Sequence, residues 1–188
     1  MNKADKIKLL HDSIGTYNIC RCFFTYDVDY WYFYILDCAD KLFLGIEEND
    51  FMLDGFQIRK ISDIKKIEIK DDICSKINRE NKLLSDVKKP PIDLSSWKSV
   101  FMSLKALDVF MSLKALDKFI IVENENKDED NGFFHLGIIK EVKDTFIIFS
   151  SVDADGIWYD NIKIPYSKIT SVIFNDRYSK TWQEYLSK

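Results

Sequence analysis

The order of local sequence patterns in the first half of the chain recurs in the second half, and this recurrence constrains the fold most. Residues 62–67 match residues 167–172 at a constant offset. The same offset carries Asp71 onto Asp176, Ile73 onto Tyr178, Ile77 onto Trp182, Leu42 onto Ile147 and Leu44 onto Phe149. The halves are therefore predicted to be two copies of one unit, in which a helix, five strands and a second helix follow one another.

β-Branched and aromatic residues that alternate with polar ones predict the strands, as in Leu42, Leu44 and Ile46. Five strands are predicted in the first half, over residues 17–25, 29–37, 41–47, 51–61 and 65–70. Five more are predicted over residues 119–123, 133–142, 145–151, 157–165 and 170–175.

Residues 2–14 predict an amphipathic helix that stops at Gly15, and Asp71 or Asp72 caps a second helix that runs to Leu84. A final helix follows the last strand.

An exact repeat of nine residues lies between the halves. Residues 100–108 read Val-Phe-Met-Ser-Leu-Lys-Ala-Leu-Asp, and residues 109–117 repeat them. The segment is rich in Leu, Lys, Ala and Met and has no Gly or Pro, which predicts a helix with Ser95 or Ser96 as its N-cap. Nine residues turn a helix by about 180° beyond whole turns. The stripe Trp97, Phe101, Leu104 and Leu107 therefore faces away from the stripe Phe110, Leu113 and Leu116.

Two interpretations of the repeat stay open. A helix that is apolar on all sides must be buried on all sides, either between two layers or against a second molecule. Alternatively, the duplication is recent or engineered, so that one copy is surplus. We favour the surplus copy, because an untouched natural repeat would normally have diverged.

Composition and charge restrict the class of protein. The chain has 188 residues, of which 46 % are hydrophobic, so it can bury a substantial core. Its net charge is −4 and opposite charges are interspersed, which disfavours nucleic acid as a partner. No apolar run approaches the roughly 20 residues that span a bilayer. With four cysteines and no signal peptide, the predicted location is the cytoplasm.

The order of a helix followed by five short strands resembles the Sm-like (LSM) family of small β-barrels, and the resemblance covers nearly the whole chain. It is clearest in residues 137–142 with 145–151, and in the short turn at residues 62–64. The whole chain is also similar to uncharacterised Firmicute proteins that carry Phe-x-Ile-Arg-Lys-Ile-x-Asp-Ile, here residues 56–64.

The resemblance implies a mainly β protein with helices, built as two tandem five-stranded Sm-like barrels joined by a helical linker. The implied domains are residues 1–86, a linker and helix at 87–117, and residues 118–188. Because such barrels pair by their edge strands, two fused units imply a monomer or a homodimer. In RNA-binding members an Arg-Gly pair contacts the nucleotide. Here Arg59-Lys60 and Pro165-Tyr166 stand at that position, so the RNA motif is absent or degraded.

No catalytic, cofactor or metal site is predicted. Cys20 and Cys22 lie on one side of a strand without the two further soft ligands that zinc would need, which favours a role in the core. Neither histidine has a catalytic motif around it, and no Gly-rich loop could wrap a phosphate. Asp153-x-Asp155-Gly156 lacks the other ligands of a calcium loop and predicts a tight turn.

The aromatic run at residues 30–34 is the most suggestive feature. If only one face of a strand is buried, core packing explains aromatic residues on that face but not on the opposite face. Core and inter-barrel packing is one explanation; the other is a face that binds a partner, with Tyr30, Trp31, Tyr32, Tyr34 and Arg59 as candidate residues. The function favoured is a non-catalytic cytoplasmic binding module for another protein, of which an immunity or antitoxin role is one form. The alternative is an Sm-like protein that binds RNA through its loops.

Overall fold

A computed structural model describes residues 1–27, 29–111, 119–125 and 132–187. The chain divides into two compact units, Met1–Pro90 and Pro91–Lys188. Both are mainly β with two helices each. Within the residues that the structure describes, no helix has the length and the apolar character needed to cross a membrane.

The first unit contains two helices and five strands. In chain order they are α1 (Lys3–Ser13), β1 (Ile19–Phe24), β2 (Tyr30–Cys38), β3 (Leu42–Asn49), β4 (Met52–Lys60), β5 (Ile64–Lys70) and α2 (Ile73–Glu80). The second unit repeats this order as α3 (Trp97–Met111), β6 (Ile120–Asn124), β7 (Phe133–Val142), β8 (Phe146–Val152), β9 (Ile162–Pro165), β10 (Ser171–Phe174) and α4 (Arg177–Leu186).

The prediction of two tandem five-stranded Sm-like barrels joined by a helical linker is wrong. The strand order is β5-β1-β2-β3-β4 in the first unit and β10-β6-β7-β8-β9 in the second, and both runs are open antiparallel sheet. The helix α3 is not a linker, because it belongs to the second unit and packs on β7. Closing a barrel requires a particular strand tilt and stagger, and the hydrophobic pattern that predicts strands does not encode these.

The core of the first unit lies between α1 and one face of the sheet. The register pairs Cys20 with Phe33 and Cys22 with Trp31, which puts these side chains on the same face. Leu10 of α1 is fully buried against them. The buried cluster consists of Leu10, Cys20, Cys22, Phe24, Phe33, Ile35, Cys38, Phe43, Ile61, Ile64 and Ile67.

The predicted helix is present over Trp97–Met111, and three of the four residues of its first predicted stripe are buried. The backbone N–H of Ser99 donates to Ser96 Oγ at 3.1 Å, which identifies Ser96 as the N-cap. Trp97, Phe101 and Leu104 are buried. The second predicted stripe, with Phe110, Leu113 and Leu116, lies outside the side chains that the structure describes.

Two element boundaries differ from prediction by more than two residues, each because of a local turn. The helix α2 ends at Glu80 rather than Leu84, since Lys82 adopts φ 53° and the N–H of Leu83 returns to the carbonyl of Asn78 at 2.9 Å. The predicted strand 157–165 shrinks to β9, because the Asp153 carboxylate accepts the N–H groups of Asp155 and Ile157. This geometry is the predicted tight turn.

Candidate functional site

The structure distributes the aromatic run at residues 30–34 over the two faces of β2. Because Cys22 pairs with Trp31 and Arg21 pairs with Tyr32, Trp31 shares a face with the core cysteines. The other face carries Tyr30, Tyr32 and Tyr34 in a row. Both faces of the strand are therefore aromatic, and only one of them is the core face.

The exposed end of this row packs against a neighbouring arginine. Tyr30 is 38 % exposed, and the guanidinium carbon of Arg21 lies 3.9 Å from the centroid of its ring. Arg21 also forms an ion pair with Glu68 at 3.0 Å. The rings of Tyr30 and Tyr32 are 5.1 Å apart. These contacts fix the orientation of both tyrosines while leaving them partly accessible.

Tyr34, at the other end of the row, is buried and belongs to a polar network beneath α2. The side-chain amide of Asn78 donates to the Tyr34 hydroxyl at 2.9 Å and to the Glu48 carboxylate at 3.2 Å. Burial raises the pKa of Tyr34 to about 12. Tyr34 was predicted to bind a partner, but its side chain is not at the surface.

Arg59, the last of the predicted binding residues, is also buried, with 0 % exposure. Its Nε donates to Gln57 at 2.8 Å and its Nη1 donates to the Tyr26 hydroxyl at 3.3 Å. Its guanidinium carbon lies 4.8 Å from the ring centroids of both Phe24 and Trp31. The guanidinium is therefore held among aromatic rings inside the first unit and is not offered to a partner.

Two adjoining clefts lie where β2 begins and β3 ends. The larger has a volume of about 440 Å³ and the smaller one of about 170 Å³. Tyr32, Glu48 and Asn49 line both, so the two form one depression, which we call the acidic trough. Its remaining lining residues are Asp27, Asp29, Tyr30, Trp31 and Glu47 in the larger cleft and Ile19, Asp50, Phe51, Lys70, Asp72 and Cys74 in the smaller.

Hydrogen bonds hold the trough in shape. The indole N–H of Trp31 donates to the Asp27 carboxylate at 2.8 Å. Glu48, only 7 % exposed, accepts the N–H of Phe51 at 2.9 Å and the amide of Asn78, both at Oε1. The turn that supplies the Phe51 N–H is unusual, because Asp50 and Phe51 have φ values of 49° and 66°. A bulky side chain in that region is a marked outlier.

Glu48 and Asn78 were not singled out in the sequence, although both are central to the trough. The only signal was the pair Glu47-Glu48 at the end of an apolar strand. Asn78 reaches the trough because α2 folds back over the sheet, and that packing is not visible in the local pattern.

The second unit shows that the fold does not require these polar residues. The equivalent bulges lie at Ile35/Asp37 and Ile139/Glu141, and the two helices are capped in the same way by Asp72 and Asp176. Matching them equates Tyr32, Tyr34, Glu48 and Asn78 with Leu136, Ile138, Val152 and Trp182. Those four pack together as an apolar cluster. The polar network in the first unit is therefore not a structural necessity, and a local departure of this kind points to a functional site.

Cys20, Cys22 and His135 are not among the described residues that line the trough, whereas Cys74 is. Cys20 and Cys22 are buried in the core, where burial raises the pKa of Cys20 to about 11. Burial also lowers the pKa of His135. Across the described part of the chain, no three His, Cys, Asp or Glu side chains converge as metal ligands would.

Comparison with known proteins identifies no relative. No protein-family model, no curated protein and no solved structure matches the chain.

Proposed function

We propose that this protein is a non-catalytic cytoplasmic binding module for another protein, and that the partner contacts the acidic trough. The observation that carries the proposal is a concave surface with aromatic walls and a carboxylate rim. Tyr and Trp are enriched at the centres of protein interfaces, because they bury a large area and keep a polar atom for hydrogen bonding. Tyr30, Trp31 and Tyr32 provide such walls here.

The charge of the trough supports a protein over RNA. Of the described residues that line the trough, six are acidic and one, Lys70, is basic. Affinity for RNA comes largely from Lys and Arg side chains that neutralise phosphates. Arg59, the one match to the base-contacting pair of the Sm-like family, is buried. The resemblance to that family in the order of elements thus brings no nucleotide-contacting residue to the surface of the trough.

The test compares three immobilised versions of the full chain in lysate of the native host. One is the parent, the second carries Tyr30→Ala and Tyr32→Ala, and the third carries Tyr178→Ala and Tyr185→Ala, two exposed tyrosines of the second unit. Quantitative mass spectrometry is expected to find a partner that the parent and the third version retain and the second version loses.

Two results would count against this proposal. One is a set of retained proteins that does not change when Tyr30 and Tyr32 are replaced. The other is submicromolar binding of a uridine- or adenine-rich oligonucleotide at about 150 mM salt, which would favour RNA as the partner. Arg59→Ala is a poor probe for RNA binding, because removing a buried guanidinium disturbs the core.

A further inference from the structure

We infer that the acidic trough binds a positively charged side chain, a lysine or an arginine of the partner protein, and that Glu48 is the carboxylate that pairs with it. The inference rests on the proposed function and names the chemistry by which the partner is recognised.

The environment of Glu48 carries the inference. The side chain is more than nine-tenths buried, and its two hydrogen-bond donors, the Phe51 N–H and the Asn78 amide, are both neutral. Both bonds go to Oε1, whereas Oε2 receives none from the part of the chain that the structure describes. No lysine or arginine in that part forms an ion pair with Glu48. A buried carboxylate is costly unless a cation compensates it, and the trough is the route by which one can arrive.

The other lining residues add to the same preference. Asp27, Asp29 and Glu47 surround the larger cleft, and Asp50 and Asp72 stand beside the smaller one. Among the lining residues that the structure describes, only Lys70 is basic, and its Nζ lies 3.9 Å from the carboxylate of Glu68. The described lining residues thus carry an excess of negative charge, which favours a cation over a phosphate.

The aromatic walls suit an organic cation. Lysine and arginine side chains bind over the faces of Trp and Tyr rings, and more strongly where water is excluded. The chain already uses this combination nearby, because Arg21 lies over the ring of Tyr30 and pairs with Glu68. Tyr30 and Phe51 flank the trough and are 38 % and 44 % exposed. The aliphatic part of a lysine or arginine side chain, together with the neighbouring residues of the partner, would cover the apolar surface of these two rings. A small inorganic ion would not cover it.

The trough is also built rigidly around Glu48. The Phe51 N–H that donates to this carboxylate comes from a turn in which Asp50 and Phe51 both take left-handed backbone conformations. Strained residues of this kind persist where the surroundings hold them, and they concentrate at binding sites. Glu48 is thus fixed in place before a ligand arrives, which reduces the entropy lost on binding.

The experiment titrates the purified full chain with blocked tripeptides of sequence Gly-X-Gly, where X is arginine, lysine, norleucine or glutamate. The readout is the NMR signal of the Trp31 indole N–H, which donates to Asp27 inside the larger cleft. A Trp31→Phe variant identifies the signal. The arginine and lysine peptides are expected to shift it saturably, while the norleucine and glutamate peptides leave it unchanged.

The matched variants are Glu48→Gln and Asp40→Asn. Glutamine keeps an acceptor for Phe51 and Asn78 and removes only the charge, so we expect the Kd of the cationic peptides to rise about tenfold. Asp40 is exposed in the turn at the far end of β2, and its replacement makes the same change in net charge. The Asp40→Asn variant is expected to bind as the parent does.

A second variant tests the charge of the trough independently, in case Glu48→Gln disturbs the fold. Asp29 is exposed and lines the larger cleft, and Asp29→Asn is expected to raise the same Kd by about threefold, as a solvated charge would. Amide signals of the first unit outside the trough, compared with those of the parent, show whether each variant is folded.

Several outcomes would overturn the inference. They are equal binding of the norleucine and lysine peptides, unchanged affinity in Glu48→Gln, an equal loss in Asp40→Asn, and no binding of any peptide by the parent. Free spermidine that binds as tightly as the peptides would assign the trough to polyamines. None of these results bears on the lysate comparison, so a failure here is distinguishable from a failure of the proposed function.

Discussion

Three of the four cysteines are in the core of the first unit, and their surroundings suppress thiol chemistry. Cys20 and Cys22 are fully buried and Cys38 nearly so. Burial raises the pKa of Cys20 and Cys38 to about 11, and it also raises the pKa of Cys22 well above its ordinary value. The thiolate is the reactive form, so these groups are unreactive near neutral pH. Cys74, which lines the acidic trough, is only half-buried.

We therefore predict that one thiol of the native protein reacts rapidly with Ellman's reagent at about pH 8 and that it is Cys74. The measurement is the absorbance of the released thiolate before and after denaturant is added, with all four thiols reacting after unfolding. Cys74→Ser should abolish the rapid reaction, and Cys20→Ser should preserve it. Two or more rapid thiols in the native state would contradict the burial described above.

Phe51 shows how a single residue escapes prediction from sequence. The turn between β3 and β4 consists of Asp50 and Phe51, both with positive φ, where Gly or Asn would be usual. Without such a residue, the pattern predicted a strand that already began at residue 51. The positive φ of Phe51 is locally unfavourable for a bulky residue. It is consistent with the role of the Phe51 N–H as a hydrogen-bond donor to Glu48.

Replacing Phe51 by glycine is predicted to stabilise the protein by about 1 kcal/mol, because glycine adopts a positive φ without strain. The control is Met52→Gly at the neighbouring, exposed first position of β4, where glycine should cost about 0.5–1 kcal/mol. Urea denaturation followed by circular dichroism measures both. A destabilised Phe51→Gly variant would mean that the ring contributes more by packing than its backbone loses by strain.

At the scale of elements, the sequence correctly predicted that the order of helices and strands repeats. It did not correctly predict which residue of the first unit matches which residue of the second. The short 3-10 turns Ile61–Asp63 and Tyr166–Lys168 agree with the constant offset. The helix caps are Asp72 and Asp176, whose carboxylates accept the N–H of the residue three positions on. The predicted match of Asp71 with Asp176 is therefore wrong by one residue, because the second unit has one residue fewer between the 3-10 turn and the cap.

Asp72→Ala and Asp176→Ala are each predicted to cost about 1 kcal/mol, as the loss of an N-cap does. Asp71→Ala is the control, since Asp71 makes only an exposed ion pair with Arg79 and should change stability by less than about 0.5 kcal/mol. Chemical denaturation of the three variants decides between the caps. If Asp71→Ala were the costly change, the assignment of Asp72 as the cap would have to be abandoned.

At the scale of the whole molecule, the sequence predicted the strands and their order, but it wrongly predicted that the sheets close into barrels, and it did not predict the trough. Alternation of apolar residues is local, and it indicated strands near all ten of those observed. Whether a sheet closes depends on tilt and stagger, which no single strand specifies. The described lining residues of the trough are Ile19, Asp27 and residues from 29–32, 47–51 and 70–74, which lie far apart in the sequence and which only the folded chain brings together.

The exact repeat at residues 100–117 gives the last prediction, because its two copies carry identical side chains in different places. In the first copy Phe101 is fully buried and stacks on Tyr166 with ring centroids 5.8 Å apart, so Phe101→Ala should cost about 3–5 kcal/mol. If the second copy is surplus, Phe110→Ala should cost less than about 0.5 kcal/mol, as a surface substitution does.

If the second copy is surplus, deleting residues 109–117 should leave the melting temperature unchanged or higher. If the stripe Phe110, Leu113 and Leu116 makes the protein a dimer, the deletion should also return it to a monomer. Thermal melts and size-exclusion chromatography measure these effects. Equal losses in the two alanine variants, or a deletion that melts far below the parent, would show instead that both copies are buried, since a helix that packs on two sides cannot lose either stripe without a large cost.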